Sequence, residues 1–314
     1  MCERSEGAYH PMPEPHINIA IVTYNRLSLT RLCLESLLGK TCGDYTVHIV
    51  DNNSTDGTPA YLEDIAAKQE RVRVIFLGRN YGPAVAANYA WAARDADYYV
   101  KLDNDIYIHD GDWLHKLVQL AERNPEVGMV GYRLLDWKHE NTPLLLKSGD
   151  AFISSQLCNG GCVLIPRKTF LEFGFWNEDY GRYGFEDNDY SLRVRLADYL
   201  VGYPSMDCAE VEHMGFTPDF RDDRHEQEKE KKLRKKYQGY DLFVLNQLLY
   251  MEKIRPLRVE RKYAPHNAGD SVIFTFNPEY RSISMLQAGF QDKISYCVKD
   301  NRIHTDVSKL KSQS

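Results

Sequence analysis

Nowhere in the 314 residues do about 18 apolar side chains run together, so no segment is expected to cross a membrane as a helix. The first sixteen residues are polar and contain proline. They lack the apolar stretch of a secretory signal. Cysteine is sparse and odd in number, seven in all, scattered without paired spacing. That excludes a disulfide framework and gives no zinc-knuckle pattern, so reduced thiols and a cytoplasmic location are expected. An excess of positive charge is also missing. The formal net charge is -6, which argues against a general nucleic-acid binder.

Several catalytic signatures are absent as well. No Gly-x-Gly-x-x-Gly follows the first apolar run, so a dinucleotide oxidoreductase is not expected. No Gly-x-Ser-x-Gly elbow occurs. Gly39-Lys40-Thr41 looks like the end of a phosphate loop, but Leu34 stands where its first glycine should be. Internal repeats and low-complexity linkers are not seen.

What remains is ordinary for a globular α/β chain: 43% hydrophobic and 27% charged residues. The first half alternates short β-branched runs with helical spacing. Strands are expected over 17–24, 45–50, 72–77, 98–102 and 127–134, with helices over 27–38, around 61–66, 84–93 and 112–122. Such repetition with short links implies a mostly parallel sheet covered by helices on both faces. Further short strands are expected over 144–148, 162–166, 209–212 and 271–276, and a helix from Glu186 to Leu196.

Each early strand ends in polar residues: Thr23-Tyr24-Asn25-Arg26, Asp51-Asn52-Asn53-Ser54, Arg79-Asn80-Tyr81-Gly82 and Asp103-Asn104-Asp105. In an open α/β sheet these ends lie together, and ligands bind there. Asp103 and Asp105 follow an apolar strand and are one residue apart, so both can leave the sheet on one side. Two hard oxygen donors suit Mg2+ or Mn2+ held against a diphosphate. An isolated Asp-x-Asp is also an ordinary solvated turn; four polar ends in register favour a pocket. Glu186-Asp187 follows an aromatic-glycine loop and opens a helix. A carboxylate there can take a proton from an attacking hydroxyl, although acids in a first turn also simply favour the helix dipole.

Taken together, these motifs resemble the inverting family 2 glycosyltransferases of GT-A fold. The resemblance rests on Ile-Val-Thr-Tyr-Asn-Arg, Val-Asp-Asn-Asn-Ser-Thr-Asp-Gly-Thr, Asn80-x-Gly82-x-Ala84-x-Ala86-x-Asn88, Leu-Asp-Asn-Asp, Gly160-Gly161-Cys162-Val163-Leu164-Ile165 and Phe185-Glu186-Asp187-x-Asp189. It covers roughly residues 17–215. It implies a Rossmann-like, mostly parallel sheet flanked by helices, followed by a helical and short-stranded extension. The expected organisation is an arm over 1–16, a catalytic domain over 17–220 and the extension over 221–314.

The resemblance also implies roles. Thr23, Asn25 and Arg26 would line the nucleoside and diphosphate. Asp51 would accept from the base, beside Asn53. Asn80, Gly82, Asn88, Lys101 and Asn104 would position the donor. Asp103 and Asp105 would address ribose and a Mn2+ or Mg2+ ion, Asp105 more directly, with His213 as a third ligand. Asp187 is the first choice for general base and Glu186 the second, with Asp189 as a brace. Gly160, Gly161 and Trp176 would lie on the acceptor side.

No Gln-x-x-Arg-Trp of processive synthases is present, so single addition is expected. The expected donor is a nucleoside-diphosphate sugar, uridine first and thymidine next. The expected acceptor is a glycan or lipid-linked glycan of the cell surface. Two rivals stand beside this reading: a sugar nucleotidyltransferase, disfavoured by the missing Gly-rich loop after the first strand, and a nucleotide-sugar-binding module without turnover. In the tail, residues 221–236 are almost all charged. They read as a solvated helix or as a contact with an anionic membrane surface. Residues 281–286 and 294–298 read as strands, packed on the catalytic domain or at an oligomer contact.

Overall fold

A computed structural model describes residues 15–134, 141–181, 184–217, 239–240, 242–269 and 271–280. The first half follows the expected alternation closely. Strand β1 (Ile17–Thr23) leads to helix α1 (Leu27–Lys40), β2 (Tyr45–Asp51), α2 (Thr58–Lys68), β3 (Val72–Phe76) and α3 (Pro83–Ala92). Then come β4 (Tyr98–Asp103), β5 (Ile106–Ile108), α4 (Trp113–Arg123) and β6 (Val127–Gly131). The second half contains β7 (Asn141–Leu145), β8 (Ala151–Ser155), β9 (Cys162–Pro166), α5 (Arg167–Phe173), α6 (Glu186–Leu196), β10 (Leu200–Tyr203) and β11 (Val211–His213). A hairpin of β12 (Tyr263–Ala268) and β13 (Ser271–Phe276) follows a helical stretch at 242–251.

Nine strands form one sheet in the order β3-β2-β1-β4-β9-β6-β10-β8-β7. β1 pairs in parallel with β2 and β4, β2 with β3, and β10 with β6. β9 runs antiparallel between β4 and β6, and β8 antiparallel between β10 and β7. The sheet is therefore mostly parallel with two reversed strands, the α/β architecture expected.

Strand alternation assigns the core to two faces. Ile17, Ile19 and Ile21 of β1 point with Val100 and Leu102 toward α1 and α4. Ala20, Val50, Tyr99 and Val163 point the other way, under α3 and α5. Helix α3 begins with Pro83, whose missing N–H costs nothing in a first turn. Its small side chains Ala84, Ala86, Ala87 and Ala90 are buried and let the helix lie close on the sheet.

The differences from the sequence reading are local. β5, β8, β10 and β12 and helix α5 escape a periodicity argument, because most are too short to show a period. The strand expected over 144–148 lies instead at Asn141–Leu145, and the one expected over 127–134 ends at Gly131. The stretches 221–236, 281–286 and 294–298 lie outside the described residues, as does nearly all of 1–16.

Residues from the tail join the main body. Val272 and Phe274 enter the core beneath α3. Phe243, Tyr250, Val259 and Tyr280 pack with Tyr180 and Leu192. Leu77 bridges to Val272, and Gly174 to Val259.

Candidate active site

Parallel register brings the polar strand ends to one level. Thr23 pairs with Asp51 and Val22 with Asp103. The Thr23 hydroxyl donates to Asp51 Oδ1 at 2.8 Å, and the Ser54 amide donates to Asp51 Oδ2 at 2.8 Å. Asp51 is nearly fully buried, and the Ser54 hydroxyl donates to it as well. A carboxylate has about four acceptor positions, so little capacity remains for a base. Thr23 is also wholly buried and braces Asp51 rather than lining a ligand face.

Asn25, Arg26 and Asn53 adopt left-handed φ values of 56, 68 and 66°. Such a cluster of uncommon backbone conformations bends the first two loops toward each other. Asn25 Oδ1 accepts the Thr55 amide at 2.8 Å and so joins them. The third loop is tied in by Asn52, to which the sequence reading gave no role of its own. Its Nδ2 donates to the Gly82 carbonyl at 3.1 Å, and its Oδ1 accepts the Tyr81 amide. Asn80 closes the turn by accepting the Gly82 amide at 2.9 Å. The only sequence signal for Asn52 is its place between two residues already noted.

The fourth strand end is the most highly charged. Lys101 is buried, and its ammonium pairs with Asp103. Arg26 Nη1 donates to Asp105 Oδ2 at 2.8 Å. It therefore stands at the acidic group and not at a separate diphosphate position. His213 Nε2 lies 3.5 Å from Asp105 Oδ1. Pairing of β11 with β5 sets His213 opposite Ile106, and the Met214 amide donates to the Asp105 carbonyl. One ligand atom each from Asp103, Asp105 and His213 can lie within 4.8 Å of the others.

A divalent cation fits this group on two observations. Asp105 Oδ1 is buried without a hydrogen-bond partner. Burial, then Asp103, push the Asp105 carboxyl above its ordinary range despite His213, Arg26 and Lys101. Such a carboxylate gains from a cation. Space is also reserved there: a Cβ at Gly215 would meet Asp105 Oδ2 at 2.5 Å and His213 Cε1 at 2.9 Å.

Across from this group, the first turn of α6 presents Glu186 and Asp187. The Gly160 amide donates to Asp187 Oδ2 at 2.9 Å, and the Asn188 amide to Oδ1 at 2.8 Å. A Cβ at Gly160 would lie 3.0 Å from Asp187 Cβ, and one at Gly161 3.2 Å from Asp103 Oδ2. The glycine pair thus separates Asp187 from Asp103, and both are adjacent to it. Burial pushes both acids of the α6 turn up. The Gly160 and Asn188 amides oppose the rise at Asp187 without cancelling it, and Glu186, beside Asp187, reaches about 8.

Three residues expected at the pocket lie elsewhere. Asn88 is fully buried; its Nδ2 donates to the Trp176 carbonyl and to Glu178 Oε1, and its Oδ1 accepts the Trp176 amide. Both amide hydrogens are used inside the fold and the side chain has no exposed surface to offer a donor sugar. Asn104 turns inward, where its Nδ2 donates to Thr30 Oγ1 of α1 at 2.9 Å. Trp176 is only 1% exposed and meets Trp91 edge-on at 5.2 Å. It forms a wall behind Gly160 and offers no open platform to an acceptor. Each carries a polar or aromatic group whose inward partner comes from a distant element.

Residues 18–150 match the family model for Glycosyl transferase family 2. Among relatives, a putative teichuronic acid biosynthesis glycosyltransferase, TuaG, of Bacillus subtilis is 29% identical over 42% of this chain and 51% of its own. The O-antigen biosynthesis protein RfbC of Myxococcus xanthus is 35% identical over 58% of this chain and 16% of its own. The chain thus spans about half of one relative and a small part of the other. Among solved structures, the mannosyltransferase PcManGT from Pyrobaculum calidifontis, in complex with GDP-Man and Mn2+, aligns with a TM-score of 0.56. It is 16% identical, with 80% of this chain and 68% of that one covered, and so shares the GT-A type of fold. Among the described residues no helix is long and apolar enough to cross a membrane.

Proposed function

We propose that the chain is a metal-dependent, inverting, non-processive glycosyltransferase. It moves a sugar from a nucleoside-diphosphate donor, UDP-sugar first and dTDP-sugar next, to an acceptor hydroxyl during surface-glycan biosynthesis. The observation that carries this reading is the meeting of Asp103, Asp105 and His213 with Asp187 across the Gly160–Gly161 pair. A cation site and a candidate base on opposite sides of one small space are what a single displacement needs.

Asp103, Asp105 and His213 would hold a Mn2+ or Mg2+ ion, which neutralises charge on a leaving diphosphate when bound. Arg26 and Lys101 place further positive charge beside the same carboxylates. Asp187 accepts the acceptor's hydroxyl proton while that oxygen bonds to the anomeric carbon. The bond from that carbon to the diphosphate oxygen breaks, and the electron pair leaves with the nucleoside diphosphate. Attack opposite to departure inverts the anomeric centre. The two amides on Asp187 fix its carboxylate in place, and Glu186 retains its proton near neutral pH. The proposed catalytic unit extends beyond 220 to include residues 242–280, which share its core. The presence of Asp187 beside the cation group favours turnover over a pure binding module.

A thermal-shift panel of UDP, dTDP, GDP and CMP, each with and without Mn2+, tests the reading. Bound ligand raises the melting temperature by mass action. The expected result is a shift for UDP that requires the metal. A shift for no nucleotide would move the binding and transfer roles away from this site.

A further inference from the structure

The cation group occupies one end of the sheet, and a different kind of site lies toward the other. A cavity of ≈ 670 Å³ opens between β2, β3 and the C-terminal end of α3, with the β12 strand on its rim. Thr46 and His48 line it from β2, five and three residues before Asp51. At about 3.3 Å per residue, Thr46 is roughly 16 Å from the strand end that carries Asp51. The cavity is therefore separate from the proposed catalytic centre.

Three arginines from three elements converge on it: Arg73 of β3, Arg94 just after α3, and Arg261 just before β12. Among the described residues no carboxylate lines the cavity, although Asp and Glu (45) outnumber Lys and Arg (39) in the chain. Nor does any of the three guanidinium groups form an ion pair among the described residues. Arg94 Nη1 donates to Thr46 Oγ1 at 2.8 Å. Arg73 Nη1 donates to the carbonyls of Glu70 and Val72. Arg261 lies 5.6 Å from the centre of the Phe175 ring. Glu178 is close enough to feel Arg261, but its oxygens accept Asn88 Nδ2 and the Lys262 amide, and it is not part of the lining.

Each guanidinium has five N–H donors, so most remain available. His48 is a fourth basic group, 5% exposed, with its Nδ1 bonded to Asn18 Oδ1. Burial, then the neighbouring Arg73 and Arg94, press its pKa down to about 4, so it stays neutral. Beside this polar side, Tyr89 and Pro265 supply an apolar wall. The volume is in the range of small-ligand sites, about 300–1,000 Å³.

We propose that this cavity binds a phosphate or diphosphate group attached to a small apolar or aromatic body, at a site distinct from the catalytic centre. Planar guanidinium forks match phosphate oxygens in pairs, and three of them suit a multiply charged group better than a single carboxylate. Such a group can belong to a soluble phosphate compound or to a lipid headgroup at a membrane surface. The proposal does not depend on the glycosyltransferase reading.

The test is titration calorimetry of the whole chain with inorganic pyrophosphate in EDTA, which silences metal-dependent binding. Sedimentation with phosphatidylcholine vesicles, with and without phosphatidic acid, forms the second arm. The expected result is saturable binding in at least one arm, weakened tenfold or more by the double variant Arg94→Ala/Arg261→Ala and retained by Asp105→Ala. Binding to pyrophosphate alone identifies a soluble ligand; binding only to acidic vesicles identifies a headgroup. Arg123→Ala, at an arginine paired elsewhere with Asp150, controls for general charge, and circular dichroism checks that each variant is folded. Absence of binding in both arms, or equal loss in the Arg123 control, overturns the proposal.

Discussion

Two buried acidic centres show how differently the same side chain can be used. Asp189 and Arg193 on α6 are both fully buried and lie 2.7 Å apart. Asp189 also accepts from Tyr180, Tyr250 and Asn177, while Arg193 donates to the carbonyls of Phe173, Phe175 and Leu257. Every charge there is matched from within. Asp105, by contrast, has one buried oxygen without a hydrogen bond and a neighbouring carboxylate that repels it. A saturated pair holds the fold together; a buried oxygen without a hydrogen bond fits the proposed cation.

That contrast is open to direct attack. The largest expected effect belongs to Asp187→Asn, which removes the proton acceptor but leaves the cation group intact. Sugar transfer should fall by about 10²–10⁴-fold, with nucleotide binding unchanged. Steady-state rates beside a nucleotide titration measure this, and undiminished transfer would remove Asp187 from the base role.

Asp189→Ala should instead unfold the protein more easily. Leaving Arg193 buried and unpaired typically costs about 3–5 kcal/mol. Urea unfolding reads the change, and a loss under 1 kcal/mol would contradict the brace assigned to this pair.

Glu178 supplies a pH dependence between these extremes. Burial raises its pKa to about 7, against the pull of Asn88, Lys262 and Arg261. The native state then holds a proton that the unfolded chain releases near its ordinary carboxylate value. Stability from this group is fully present below that value and declines as pH rises toward 7. Melting temperatures across pH 4 to 8 should decline less steeply in Glu178→Gln; parallel profiles would show that Glu178 does not titrate there.

The smallest change is expected from Asp105→Asn without metal. Because the native surroundings disfavour a charge at this position, removing it should leave the melting temperature level or slightly higher. The same substitution should abolish any metal-dependent nucleotide shift. A large drop in melting temperature would make Asp105 a structural acid like Asp189.

The α/β class and the positions of the early strands were legible because β-branched runs and helical spacings are long there. Asp103, Asp105 and Asp187 stood out in the sequence only through the coincidence of several motifs, because an acid in a turn or a first helical turn also has ordinary structural reasons. Asn88, Asn104 and Trp176 sit in equally good motifs yet face inward. Their partners, Trp176 and Glu178, Thr30, and Trp91, come from other elements, and a sequence motif does not state which way a side chain turns. The reverse holds for Asn52, whose two hydrogen bonds join separate loops.

By itself, then, the sequence determined the longer strands and helices of the first half, since hydrophobic period is a local property that short elements do not show. It also determined which side chains stand at the strand ends. Tertiary structure decided the rest. His213 reaches Asp105 across 108 positions through the pairing of β11 with β5, and Asp187 meets Asp103 because the Gly160–Gly161 pair leaves room between them. Arg73, Arg94 and Arg261 come from segments with no shared pattern and face one cavity only after the sheet and the tail hairpin have packed. Convergence of this kind depends on pairing and packing between distant segments, and local periodicity carries no record of it.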